Sequence, residues 1–374
     1  MSRRYVIAID GGTTNTRARV LVDGKNVLAS SSVPVGARST SAAPGGCDNL
    51  KQGTAVAIRN ALQQAGVHAF EVEQVVASGM ITCEAGLLEV PHVSAPAGIS
   101  DLTAGAKVQL IPEVWPDPII FVPGVKYVPQ RLAEAAAAFA AAPMSESASE
   151  QSLPHFSYED LSVSDIMRGE ESESFGILEL TGTQGPLLLA LPGSHSKYIL
   201  IDHERRIVAF TTTLAGELAS EVASGTLLSR SLESGIALDE FRETDALAGF
   251  EAAMQQGLTR ALFMVRLLDR IAGAPLATRR SFLWGAIGAM DVMALLGNRE
   301  MRPYLAEQKH DFRMLIGGSL PLRKLFGFLM HHWFGQSGGN RIKIEILPSD
   351  VANQASAVGA ALIAKPLIAV SPRG

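Results

Sequence analysis

Two short apolar strands close around a turn of glycine, threonine and one carboxylate in Val6-Ile7-Ala8-Ile9-Asp10-Gly11-Gly12-Thr13-Thr14-Asn15-Thr16-Arg17-Ala18-Arg19-Val20. Residues 5–9 and 18–22 have the length and β-branched content of hairpin strands. Gly11 and Gly12 permit backbone angles closed to other residues and let a ligand approach the main chain. Successive amides in such a turn form an anion-binding nest, to which Thr13 and Thr14 add hydroxyl donors. Asp10, at the strand end, is then placed to hold a hydrated Mg²⁺ against bound phosphates. An ordinary glycine-rich hairpin with Asp10 capping its turn fits the same residues, so this motif alone leaves both readings open.

The pattern returns in the second half of the chain. Residues 186–191, 196–201 and 206–213 read as three strands, with Pro192-Gly193-Ser194-His195 turning between the first two and a helix from about Ala215. A strand–turn–strand cradle that occurs twice is much more specific than one. It predicts two sheets facing each other across a cleft, each gripping one side of a polyphosphate.

Between the repeats, residues 26–32 continue the first hairpin as a third strand, and 50–64 has helical periodicity ending at Gly66. Residues 74–77 form a short buried strand that delivers Ser78-Gly79-Met80-Ile81-Thr82-Cys83 to its carboxyl end, where ligands gather in open α/β sheets. Residues 119–122 form another such strand, stopped by Pro123-Gly124. The alanine run and Ser/Glu stretch over 131–157 read as an exposed helix and a solvated surface insertion. Near the C-terminus, 312–316 is a strand, Gly317-Gly318-Ser319-Leu320 a tight turn, and Pro321 starts a helix. Residues 341–347 give the next strand and 351–364 a helix rich in small side chains.

Composition limits the function classes. With 374 residues the chain is long enough for two domains. An apolar fraction of 47% against 18% charged excludes disorder over most of its length. The net charge of −5 argues against a nucleic-acid or anionic-membrane partner. No apolar run is long enough to span a bilayer, and residues 1–4 leave no room for a signal-peptide core. Cys47 and Cys83 match no zinc or redox spacing, so reduced thiols and a cytoplasmic location are the simple expectation.

Taken in order, these pieces resemble the sugar-kinase branch of the actin-like ATPase superfamily. Asp10-Gly11-Gly12-Thr13-Thr14 with Arg17 looks like its first phosphate motif. Gly193-Ser194-His195 takes the second phosphate position, Gly317-Gly318-Ser319 the adenosine motif, and residues 355–361 the final connecting helix. Within that branch, Ile166-Met167-Arg168-Gly169-Glu170-Glu171, Leu191-Pro192-Gly193-Ser194-His195-Ser196-Lys197-Tyr198 and Leu214-Ala215-Gly216-Glu217-Leu218 look like the 2-dehydro-3-deoxygalactonokinases.

The resemblance implies an α/β, two-lobed actin-like (ribonuclease H-like) fold with a nucleotide cleft between two mixed sheets. One lobe would take residues 1–165 plus 351–366, the other 166–350. It implies transfer of the γ-phosphoryl of ATP, with Mg²⁺, to the terminal (6-) hydroxyl of 2-dehydro-3-deoxy-D-galactonate. Such a transfer needs charge neutralisation, in-line positioning and an acceptor for the hydroxyl proton. Asp10 would organise the metal; Gly11, Gly12, Thr13, Thr14, Gly193 and Ser194 would surround the phosphates; and Gly317, Gly318 and Ser319 would meet the adenosine. Glu170 matches the superfamily's base, with Glu171 in reserve; two ordinary helix-start acids fit the same pair. Arg168 and Arg17 are the candidate cations for the substrate carboxylate, Arg17 being alternatively placed to act on the transferring group, and Thr82 and Glu217 are candidates for sugar contacts. His195 and Lys197 have ordinary turn and strand roles open to them.

Two departures from the family touch the acceptor side. Gly11 stands where these kinases usually have tryptophan, and Thr82-Cys83 replaces their usual Gly-Ser pair. Alternatives are therefore a kinase for another sugar acid, such as 2-keto-3-deoxygluconate, or a non-kinase nucleotide-binding regulatory member of the fold.

Overall fold

The computed structural model describes residues 5–38, 46–141, 157–238, 240–306, 312–335 and 342–368. Its strands are β1 (Tyr5–Gly11), β2 (Thr16–Val22), β3 (Asn26–Val33), β4 (Val72–Gly79), β5 (Val93–Ser94), β6 (Lys107–Ile111) and β7 (Trp115–Phe121). They continue with β8 (Val125–Tyr127), β9 (Asp165–Met167), β10 (Leu187–Leu191), β11 (Ser196–Ile201), β12 (Ile207–Thr213), β13 (Phe312–Ile316) and β14 (Ile342–Ile346). The main helices are α1 (Gly46–Ala65), α2 (Gln130–Ala141), α3 (Glu170–Thr181), α4 (Ala215–Gly225) and α5 (Glu243–Gln256). They are followed by α6 (Leu258–Arg270), α7 (Leu276–Gly297), α8 (Leu320–Gly335) and α9 (Ser349–Ile368).

The first sheet has the order β3-β2-β1-β4-β7-β6 and the second β12-β11-β10-β13-β14. Each begins as an antiparallel three-strand meander and continues into parallel strands through β1–β4 or β10–β13. The repeat expected from the sequence is thus present as two mixed sheets of one plan. The third, small sheet, β5-β8-β9, has no counterpart in the sequence reading.

Both faces of β1 are buried, which is why its sequence is almost uninterruptedly apolar. Ile7 and Ile9 join Leu50, Ala57, Ile58 and Ala61 of α1 in one core. Val6 and Ala8 join the other, which runs through α3 and α9 into β10 and β11 of the second sheet. Helix α9 packs on β1, β4 and, most extensively, α3. That helix pair is in backbone contact: a Cβ on Gly176 would overlap the Ala355 carbonyl, and one on Gly359 the Ser172 carbonyl. The small side chains read from α9 are therefore a packing requirement.

Helix α2 opens the expected insertion, and residues 142–156 of it lie outside the described residues. Among the described residues no helix is long and apolar enough to cross a membrane. Cys47 and Cys83 are free thiols.

Candidate active site

The first turn of α3 is where the turns of both large sheets converge. Gly169, its N-cap, has φ +113°. A Cβ there would lie 3.2 Å from the Cα of Gly79, itself at φ +82°. A Cβ on Gly79 would in turn come within 2.6 Å of the Gly11 carbonyl and 3.3 Å of Asp10 Oδ1. The end of β1, the end of β4 and the start of α3 are stacked with no room for side chains between them. On the opposite side, an added Cβ on Gly317 would lie 3.7 Å from Glu173 Oε1.

Each phosphate-type turn is braced from behind. Gly12 N–H donates to the Asn15 carbonyl, closing the first turn, while Ala37 and Arg38 N–H donate to the carbonyls of Gly12 and Thr13. Thr14 and Arg17 are exposed and Thr13 half-buried, so their polar groups face outward. In the second turn Gly193 is half-buried and Ser194 exposed, and the Ser194 carbonyl accepts from both Gly216 and Glu217 N–H at 3.0 Å. A Cβ on Gly318 would overlap the Pro192 carbonyl, which seats the Gly317-Gly318-Ser319 turn directly against the second phosphate turn.

Glu170 is half-buried at the convergence, and its Oε2 accepts from Arg168 N–H at 3.1 Å. Burial raises its pKa above the ordinary carboxylate value, opposed by Lys197 and by His195. A carboxylate so raised is better matched to accepting a proton near neutral pH. Asp10 lies across from Arg17 in the β1–β2 register with 34% of its side chain exposed. Glu217 is hydrogen-bonded to His195 Nε2 at 2.7 Å, and both remain substantially exposed beside the second turn.

Four expectations are corrected. Arg168 is not presented to a ligand carboxylate: Nη1 donates to the Thr82 carbonyl and hydroxyl, and Nη2 to the Val90 carbonyl. Thr82 is fully buried and its hydroxyl donates to the Gly79 carbonyl, leaving no sugar contact. Glu171 has no exposed surface and its carboxylate accepts from Gly169 N–H at 2.7 Å, so it caps α3 from within. Finally, neither Gly11 nor Gly12 has a positive φ. Gly11 is buried, and a Cβ there would stand 2.5 Å from that of Ile81, so close packing requires the glycine.

Three contributors were missed. Arg19 follows Arg17 on the same face of β2; its side chain is 8% exposed, and Nη1 lies 3.8 Å from Asp10 Oδ2 without a hydrogen-bond partner. Glu173 is half-buried one helical turn after Glu170; burial, Glu170 and Asp10 push its pKa up to about 8, against the pull of Arg19. Strand alternation and the i, i+3 helix spacing carry both signals. His92 lies 3.3 Å from Arg168 Nη2, and burial with Arg168 lowers its pKa to about 4, so it faces that guanidinium as a neutral ring.

The donor set fits a metal that arrives with a nucleotide. Among the described residues no group of three or more His, Cys, Asp and Glu side chains is arranged to hold an ion. Mg²⁺ keeps much of its water and is commonly held by one or two carboxylates together with substrate phosphates. The partly exposed Asp10, at the mouth of the first turn, suits that use.

A family model described as 2-keto-3-deoxy-galactonokinase matches residues 10–309. Among solved structures, a proposed 2-dehydro-3-deoxygalactonokinase from Sinorhizobium meliloti is 21% identical with a TM-score of 0.65, covering 97% of this chain and 99% of its own. Component A of the (R)-2-hydroxyglutaryl-CoA dehydratase of Acidaminococcus fermentans is 14% identical with a TM-score of 0.47, over 98% of this chain and 99% of its own. No curated protein matches the chain. The first of these structures shows the shared fold.

Proposed function

The chain belongs to the 2-keto-3-deoxy-galactonokinase family and is a kinase acting on a sugar acid with ATP; we propose that its acceptor is the 6-hydroxyl of 2-dehydro-3-deoxy-D-galactonate. On this reading it works with Mg²⁺ in the cytoplasm, in galactonate catabolism. The observation that carries the reading is the placement of Glu170 where the ends of β1 and β4 stack on the start of α3, with Lys197 and His195 from the second turn's side acting on its carboxylate. A hydroxyl approaching there would find a carboxylate of raised pKa beside two sets of amide and hydroxyl donors.

In this mechanism Glu170 accepts the proton of the attacking hydroxyl. Thr13, Thr14, Ser194 and the amide of Gly193 hold the phosphates, Gly11 and Gly12 shape the first turn around them, and Gly317, Gly318 and Ser319 border the adenosine. Asp10 would hold Mg²⁺, which when bound supplies charge neutralisation for phosphoryl transfer. Arg17, exposed beside Asp10, meets the transferring group. Glu217 is the candidate for a sugar hydroxyl, oriented by His195. Residues 1–165 with 351–366 form one lobe and 166–350 the other, and their closure excludes water from the transfer.

The test is a coupled ADP-release assay with Mg·ATP over 2-keto-3-deoxygalactonate, 2-keto-3-deoxygluconate, galactonate and glycerol. Turnover confined to the first acid is expected. Preference for the gluconate epimer or another acceptor would replace the substrate, and no acceptor-stimulated turnover would overturn the reading.

A further inference from the structure

Lys197 lies on β11 just after the second phosphate turn and is 6% exposed. Its Nζ donates to the Ile166 carbonyl at 3.1 Å and to Thr212 Oγ1 at 2.6 Å. Thr212, its register partner on β12, donates from its hydroxyl to Asp165 Oδ1 at 2.9 Å and from its backbone N–H to Asp165 Oδ2. Asp165 and Ile166 belong to β9, whose ladder runs to β8. The network therefore ties β9 to the second large sheet through side chains. Beyond β9 the chain enters Arg168-Gly169-Glu170 directly.

A buried ammonium is costly unless hydrogen-bonded and paired with charge. Two neutral acceptors take two of its three hydrogens, while the balancing charges are the carboxylates of Asp165 and Glu170. We propose that Lys197 is a positioning residue for Glu170. It fastens the strand that delivers Glu170 to the strand that leaves the second phosphate turn, and it supplies a positive charge to the Glu170 carboxylate. This rests on the reading of Glu170 as the base.

The groups facing Glu170 are Lys197 and His195 from the second sheet and Glu171 and Glu173 from its own helix. Glu173 in turn faces Asp10 and Arg19 of the first sheet. Against two acidic neighbours, loss of the Lys197 charge disfavours the Glu170 carboxylate. The acid limb of turnover then moves to higher pH.

The experiment is a carboxyl ¹³C NMR titration of glutamate-labelled protein, with the Glu170 signal assigned through Glu170→Gln. It compares wild type with Lys197→Met, Lys197→Gln and Lys197→Arg, and records kcat and KM for the four proteins alongside. In both neutral variants the Glu170 midpoint should rise by about one pH unit, equivalent to about a tenfold loss of ionised base at any pH below both midpoints. In those variants kcat should fall about tenfold on the acid limb and recover at higher pH, with KM for ATP changed less than about twofold. Lys197→Arg should keep the wild-type midpoint.

An unmoved midpoint in either folded neutral variant, or an arginine variant as impaired as the neutral ones, overturns the proposal. If wild type yields no ADP with any sugar acid while the midpoint still shifts, the proposed reaction falls and the coupling of Lys197 to Glu170 stands.

Discussion

Gly169 and Gly79 meet through their backbones, and a methyl group on Gly169 would lie 3.2 Å from the Gly79 Cα. Gly169 also has φ +113°, where a side chain adds strain. Gly169→Ala should therefore destabilise the protein by about 1–3 kcal/mol and displace Glu170, which follows it. Thermal unfolding with parallel turnover measurements tests this. An alanine variant with wild-type melting and rate would mean that the contact is slack.

Glu170→Gln keeps the volume of the side chain and removes its proton-accepting oxygen. Turnover should fall by about 10²–10⁴-fold, with ATP affinity close to wild type by calorimetry. In wild type, where burial holds the Glu170 pKa above the ordinary value, the acid limb of kcat should lie above that of an exposed glutamate. A near-normal rate in the glutamine variant would move the base role elsewhere.

Asp10→Asn removes a charge at the mouth of the first turn while leaving the local shape intact. The Mg²⁺ concentration needed for half-maximal turnover should rise by at least about tenfold, from loss of a charged ligand. Metal titrations at saturating ATP measure it. An unchanged requirement would remove Asp10 from the metal site.

Arg168 is a strut between the α3 entry and the loop after β4. Arg168→Met leaves the Val90 carbonyl without its Arg168 donor, at a cost of about 1–3 kcal/mol for a buried group left unsatisfied, while the Thr82 carbonyl keeps Val90 N–H. Lysine, without the planar fork, should rescue little. Denaturant unfolding alongside KM for the sugar acid separates the two roles. A large rise in KM at unchanged stability would return Arg168 to substrate binding.

Glu171 titrates at about 8 in the fold, against an ordinary 4.5, because burial and then Glu170 disfavour its charge. Its contribution to stability is fully present below about 4.5 and is lost as the pH rises through about 8. Glu171→Gln keeps an acceptor for Gly169 N–H without the ionisation. The variant should therefore match wild type near pH 4, below that window, and melt higher near pH 9, about one unit above it. Melting curves that stay parallel across this range would contradict the buried assignment.

The local chemistry of the turns was legible in the chain itself. Asp10 through Thr14 and Gly193-Ser194 announce themselves because a turn between short strands is fixed by neighbouring residues. The repeat of strand, turn and strand was readable for the same reason, and so was the start of α3 at Glu170. Helix α7 was not: residues 281–289 are buried in succession, so it carries no polar face to set a helical period. The three-residue strands β8 and β9, far apart in sequence, have no local signature either.

Burial decided the rest. From sequence, Arg168 and Thr82 looked free to meet a sugar acid, and Glu171 looked like a reserve base. Folding turns them inward to satisfy one another and the nearby backbone. Arg19, Glu173 and Lys197 acquire their meaning only when β1, β2, β11 and α3 come together. The sequence by itself determined which turns exist and what chemistry they offer, because those depend on adjacent residues. Only the tertiary structure decided which charged groups face the cleft and which hold it open, because desolvation and pairing depend on neighbours distant along the chain.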